Sequence, residues 1–132
     1  MKTTYLIISM SLLFSLAGYS QSTISDNSFS AVDFRKILET KPLVLIDVRT
    51  PAEYSESHIP NAINVNINDS DFTTVVKTFS KGKELALYCR SGRRSKLAIS
   101  KLSGSGIRIY ELNHGFLEWQ QVGFPTIANT NR

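Results

Sequence analysis

Leu43-Val44-Leu45-Ile46-Asp47-Val48 is an apolar run of strand length, interrupted by a single carboxylate. Such a run fits a strand covered on both faces, as strands are in a parallel sheet. Glu84-Leu85-Ala86-Leu87-Tyr88 reads as a second buried strand. Ile63, Val65 and Ile67 alternate, which predicts a strand with one buried face, and Ile107 to Leu112 supplies a last one.

Helical spacing fills the intervals. Ala31, Phe34, Ile37 and Leu38 recur at helical period until Pro42. Thr50-Pro51 with Glu53 has the form of an N-cap, a proline at the first helical position and a capping acid. Asp69 or Ser70 is the expected cap of the next helix, in which Phe72, Val75, Val76 and Phe79 form one apolar stripe. Leu97, Ala98, Ile99 and Leu102 mark another helix, ended by Gly104 and Gly106. Gly115 to Val122 is the last, with Phe116 and Trp119 on one side. Strands alternating with helices predict a small, doubly wound α/β domain: a parallel sheet flanked by helices. Ligands of such folds bind at the carboxyl ends of the strands. Asp47 to Arg49 and Cys89 both lie at such ends.

A chain of 132 residues is long enough for one domain of this type and too short for two. Its net charge of +4 favours small anions but is too weak to argue for nucleic acid. No metal-spaced Cys/His set and no glycine-rich phosphate motif is present, so neither a metal nor a cofactor is expected. Lys2, the apolar run Tyr5 to Phe14 and the small residues Ser15, Ala17, Gly18 and Ser20 have the layout of a secretory signal peptide. Residues 1–20 are therefore expected to be removed, by cleavage after Ser20 or after Ala17. No stable membrane insertion is expected of the remainder, since the apolar run is short for a bilayer. Residues 21–28 are expected as a flexible leader, 29–126 as the domain and 127–132 as a flexible tail. The protein is expected to be exported, periplasmic or secreted.

Cys89 is the only cysteine, so an exported chain cannot pair it internally. It ends a strand and opens Cys89-Arg90-Ser91-Gly92-Arg93-Arg94-Ser95, which leads into a helix. Free amides at a helix start favour thiolate over thiol, and three arginines make a poor apolar pocket. Both features point to a reactive thiol beside an anion site.

Leu45-Ile46-Asp47-Val48-Arg49, Glu53-Tyr54, His58-Ile59-Pro60-Asn61-Ala62, Tyr88-Cys89-Arg90-Ser91-Gly92-Arg93-Arg94-Ser95, then Leu112, Gly115 and Trp119 follow in order. This ordered set resembles the rhodanese-like family over roughly residues 28–125. The resemblance implies a sulfurtransferase that carries sulfane sulfur on Cys89 as a persulfide, cradled by the amides of Arg90, Ser91, Gly92, Arg93, Arg94 and Ser95. It implies a small anionic donor such as thiosulfate and a cyanide or thiol acceptor. A sulfur-sensing or partner-binding module with little turnover is the alternative. Related cysteine phosphatases carry Cys-x5-Arg; here the arginine comes one position earlier, at Arg94, and the shorter loop suits sulfur better than phosphate.

Among the arginines, Arg94 and then Arg90 are expected at the pocket mouth, with Arg93 outward. Ser95 is expected either to cap the helix or to donate to the bound sulfur. Asp47, Arg49, Glu53 and His58 are expected to form a supporting lattice. Asn61 stands where the family usually has Gly, and His114 where it often has the first of two glycines. Asn tolerates a left-handed turn. His114 raises a second possibility, a Cys89–His114 thiol hydrolase.

Overall fold

The computed structural model describes residues 27–129. Residues 1–20, with the expected signal peptide, lie outside them. Five strands form one sheet: β1 (Ser28–Phe29), β2 (Val44–Asp47), β3 (Ile63–Asn64), β4 (Leu85–Tyr88) and β5 (Ile109–Leu112). The order is β1-β5-β4-β2-β3, and every pairing is parallel. The helices are α1 (Ala31–Thr40), α2 (Pro51–Glu56), α3 (Phe72–Ser80), α4 (Arg93–Lys101) and α5 (Gly115–Gln121). The expected α/β architecture is the observed one.

Alternation along the central strands builds two cores. Ile46, Val48, Leu85, Leu87 and Cys89 face Phe72 and Val76 of α3 and Ala98 of α4. Leu45, Ala86 and Tyr88 face the other way, onto Ala31 and Phe34 of α1 and Phe116 and Trp119 of α5. Cys89 thus continues the α3/α4 face of β4.

Several elements depart from expectation. Ser28 pairs with Glu111 and Phe29 with Leu112, so the end of the expected leader is an edge strand. Past residue 126, Ile127 exchanges backbone hydrogen bonds with His58 and the Asn129 amide donates to Ser55, so 127–129 are docked on the domain. Strand β3 stops at Asn64, although the Val65 and Ile67 amides still reach the carbonyls of Asp47 and Val48. The residue capping α3 is Asp71, with no side-chain cap; Asp69 instead supplies its carbonyl to the Phe72 amide in a preceding turn. Asn61 does take the left-handed conformation, at φ 68°.

The α3 stripe is narrower than its periodicity implies. Phe72 and Val76 are buried and Val75 packs at their edge, but Phe79 is 42% exposed. Phe72→Ala should therefore cost about 3–5 kcal/mol in denaturant unfolding. Phe79→Ala should stay within about 0.5 kcal/mol of the parent.

Candidate active site

Cys89 follows the last residue of β4, and the chain turns through Arg90, Ser91 and Gly92 into α4. Gly92 is the helix N-cap, at φ 101°, and a Cβ there would strike the Asn113 carbonyl. Only glycine meets both conditions. Its amide donates to Cys89 Sγ at 3.1 Å. The first-turn amides of α4, those of Arg93, Arg94 and Ser95, have no acceptor within their own helix.

The loop carbonyls are held from the other side. Cys89 O accepts from the Phe116 amide at 2.8 Å, and Arg90 O from the Leu117 amide at 3.1 Å. Gly115, at φ 66°, allows this approach, because a Cβ there would strike the Arg90 carbonyl. Cys89 itself is only 1% exposed. A cleft of about 220 Å³ lies beside the loop, bounded by Arg49, Glu53, Arg90 and Phe116 among others.

The three loop arginines differ. Arg90 is exposed and lines the cleft. Arg93 is exposed, as expected. Arg94, expected first at the mouth, is committed instead to Glu53, with its two terminal nitrogens at 2.6 and 2.8 Å from the two carboxylate oxygens. That fork-on-carboxylate geometry uses the guanidinium's directed donors, so Arg90 is the arginine left facing the cleft. Ser95 does not cap α4, since Gly92 occupies that position one turn earlier. Its hydroxyl lies 3.6 Å from Cys89 Sγ, 3.0 Å from the Gly92 carbonyl and 2.9 Å from Glu111 Oε1.

The expected lattice of Asp47, Arg49, Glu53 and His58 divides into separate groups. Arg49 Nη2 binds Asp47 Oδ2 at 2.7 Å and the Ser57 carbonyl at 2.6 Å, with Arg49 and Asp47 both buried. Its guanidinium lies over Phe116, 4.4 Å from the ring centroid. Burial works against the Arg49 charge, but the hydrogen bonds and charge of Asp47, together with Tyr88 and Glu53, carry the net shift upward. Glu53 belongs to Thr50 and Arg94: it completes the capping box of α2 and takes the arginine fork. His58 joins neither pair. Its Nδ1 meets the Tyr54 carbonyl at 2.8 Å and its ring stacks on Tyr54, so it is a satisfied turn histidine. His114 is exposed and makes no side-chain hydrogen bond among the described residues, so no Cys89–His114 pair is formed.

Glu111 and Lys96 also belong to this site, although no sequence motif marks them. Glu111 is 1% exposed, and Lys96 Nζ meets its Oε1 at 2.7 Å. Lys96 also reaches the carbonyls of Gly92 and Asn113, each at 3.3 Å. The available signal was a charge inside an otherwise apolar strand, on the same face as Ile109. Among the described residues no cluster of His, Cys, Asp or Glu could hold a metal, and no helix is long and apolar enough to cross a membrane.

The Arg94 hydrogen bonds hold the Glu53 carboxyl down from 4.5 to about 2. A carboxyl lowered on folding adds stability that is complete above its unfolded value and is lost as pH falls towards its folded one. Stability should therefore decline from about pH 4.5 towards about pH 2, modestly because the pair is partly exposed. Glu53→Gln should show a smaller fall in Tm than the parent between about pH 6 and about pH 3.

Comparison with known proteins places these features in a family. The description Rhodanese-like domain matches residues 30–122. A protein of Allochromatium vinosum named Sulfurtransferase is 30% identical over 95 residues, covering 71% of this chain and 87% of that protein. An uncharacterized protein of Synechocystis is 28% identical over 85% of this chain, which spans only 62% of that relative. The crystal structure of a rhodanese-related protein from Thermoplasma volcanium superposes with a TM-score of 0.67 at 30% identity, covering 76% of this chain and 97% of that one. The family match takes in every strand from β2 to β5 and the whole Cys89 loop, and on it the chain belongs to the rhodanese-like domain family.

Proposed function

We propose that the protein is a sulfurtransferase that moves a sulfane sulfur from a small anionic donor, such as thiosulfate, to cyanide or a thiol through a persulfide on Cys89. The observation that carries this reading is the Cys89 sulfur itself: it receives the Gly92 amide at 3.1 Å and sits at the start of α4. An amide and a helix N-terminus both favour negative charge on sulfur. A relative named Sulfurtransferase supports the same class.

In the proposed cycle the Cys89 thiolate attacks the outer sulfur of thiosulfate. A new S–S bond forms, the donor S–S bond breaks, and sulfite leaves with the electron pair. Cyanide or a thiolate then takes the outer sulfur and the Cys89 thiolate returns. Arg90, facing the cleft, is the cation that draws the donor in. A second reading, a sulfur-sensing module with little turnover, is favoured by the burial of Cys89 at 1% exposure. The signal-like residues 1–20 support export, and the amino-terminal residue of the protein recovered from its own cell checks it; an intact Met1 would contradict it.

Thiocyanate formation from thiosulfate and cyanide tests the chemistry. The parent should turn over and Cys89→Ser should not; equal activity in the two would refute the reading. Arg90→Ala should raise KM for thiosulfate about 2- to 5-fold with a smaller change in kcat, as loss of one exposed charge does. A persulfide that forms but does not turn over would favour the sensing module.

A further inference from the structure

Glu111 lies on β5 facing α4, in register with Leu87, two residues before Cys89 on the neighbouring strand. Its Oε1 takes the Ser95 hydroxyl at 2.9 Å and Lys96 Nζ at 2.7 Å, and its Oε2 takes the Ser28 hydroxyl at 3.3 Å. Ser95 has one hydroxyl proton and two acceptors within reach, the Glu111 carboxylate and the Gly92 carbonyl. A bond to a charged acceptor is the stronger of the two. With the proton on that side, the Ser95 oxygen turns a lone pair to Cys89, and the thiol is the donor across 3.6 Å. The donors Cys89 and Ser95 and the acceptor Glu111 then run in one direction.

We propose that Glu111, acting through Ser95, receives the proton that Cys89 loses when it becomes a nucleophile. The S–H bond breaks as an O–H bond forms on Ser95, while the original Ser95 proton passes to Glu111 Oε1. The products are a thiolate and a neutral carboxyl, with no change in total charge. The new negative charge meets the Gly92 amide and the Ser95 hydroxyl that now points to it. Ser95 touches the reacting sulfur; Glu111 is a positioning residue behind it. Lys96 of α4 faces Glu111 directly, with Nζ 2.7 Å from Oε1. Around Cys89, Arg94 of α4 is matched by Glu53 of α2, and Arg49 by Asp47 at the end of β2. From β1 only the Ser28 hydroxyl faces Glu111, and His114 before α5 is exposed.

This inference rests on the nucleophilic Cys89 of the proposed function and not on the identity of its sulfur donor. Its test is the rate of Cys89 alkylation by iodoacetamide across pH, with circular dichroism to check folding. Glu111→Gln keeps the shape and can hold the Ser95 proton but cannot take it. It should slow alkylation about a hundredfold near neutral pH, the low end for a lost general base. The gap should close as pH rises and solvent removes the proton. A carboxylate acting only as a negative neighbour predicts the reverse, since its loss would ease thiolate formation. Alkylation at an equal or higher rate near neutral pH would overturn the proposal. Ser95→Ala interrupts the same chain while leaving the Glu111–Lys96 pair intact. It should slow alkylation in the same way, and an unslowed rate there overturns the proposal even where Glu111→Gln does not fold. Alkylation needs no sulfur donor: the expected profile without persulfide formation would refute the sulfurtransferase reading and leave this one standing.

Discussion

Two amides at the start of α5, those of Phe116 and Leu117, take up the carbonyls of Cys89 and Arg90 and so decide which way the reactive loop turns. The contact is closer than side chains allow. Gly115 and Gly92 both hold positive φ where a Cβ would strike a neighbouring carbonyl, that of Arg90 in one case and of Asn113 in the other. With its carbonyls engaged by α5, the loop brings the Gly92 amide to the sulfur at 3.1 Å. Arg49 ties this arrangement to the rest of the sheet, because its guanidinium bonds Asp47 at the end of β2 and lies over Phe116 of α5.

Charge around the loop is largely confined to closed pairs. Asp47 neutralises Arg49, Glu53 neutralises Arg94 and Lys96 neutralises Glu111. The Arg49–Asp47 pair is buried, and a buried pair adds little net stability but is costly to break; the other two are partly exposed and contribute little, so all three fix orientation more than they strengthen the fold. Arg90 is the loop arginine that faces the cleft, which suits attraction of a small anion without a broad basic surface.

Much of this was legible in the chain. The apolar runs of β2 and β4 need cover on both faces, and that requirement alone yields a parallel sheet with helices on each side. The Thr50, Pro51 and Glu53 cap is local chemistry and forms as its residues imply. Cys89 and Gly92 stood out because a strand end and a helix start meet there. What stayed hidden depends on distance along the chain or on how wide a face the sheet covers. Ser28 and Phe29 have no pattern of their own and become a strand only by pairing with β5. Phe79 and Leu97 keep helical spacing, yet the stripe in contact with the sheet is too narrow to include them. Arg94 and Glu53 are 41 residues apart, and no local rule joins them. Glu111 was readable only as a charge out of place in a buried strand.

The chemistry assigned to Cys89 is tested most directly with thiosulfate labelled at its outer sulfur and peptide-level mass spectrometry of the reacted protein. If Cys89 carries the sulfur, the peptide that holds it should gain the labelled atom and no other, and cyanide should remove that atom as labelled thiocyanate. A Cys89 peptide that keeps its thiol mass, or that gains a whole thiosulfate without loss of sulfite, would contradict the assignment.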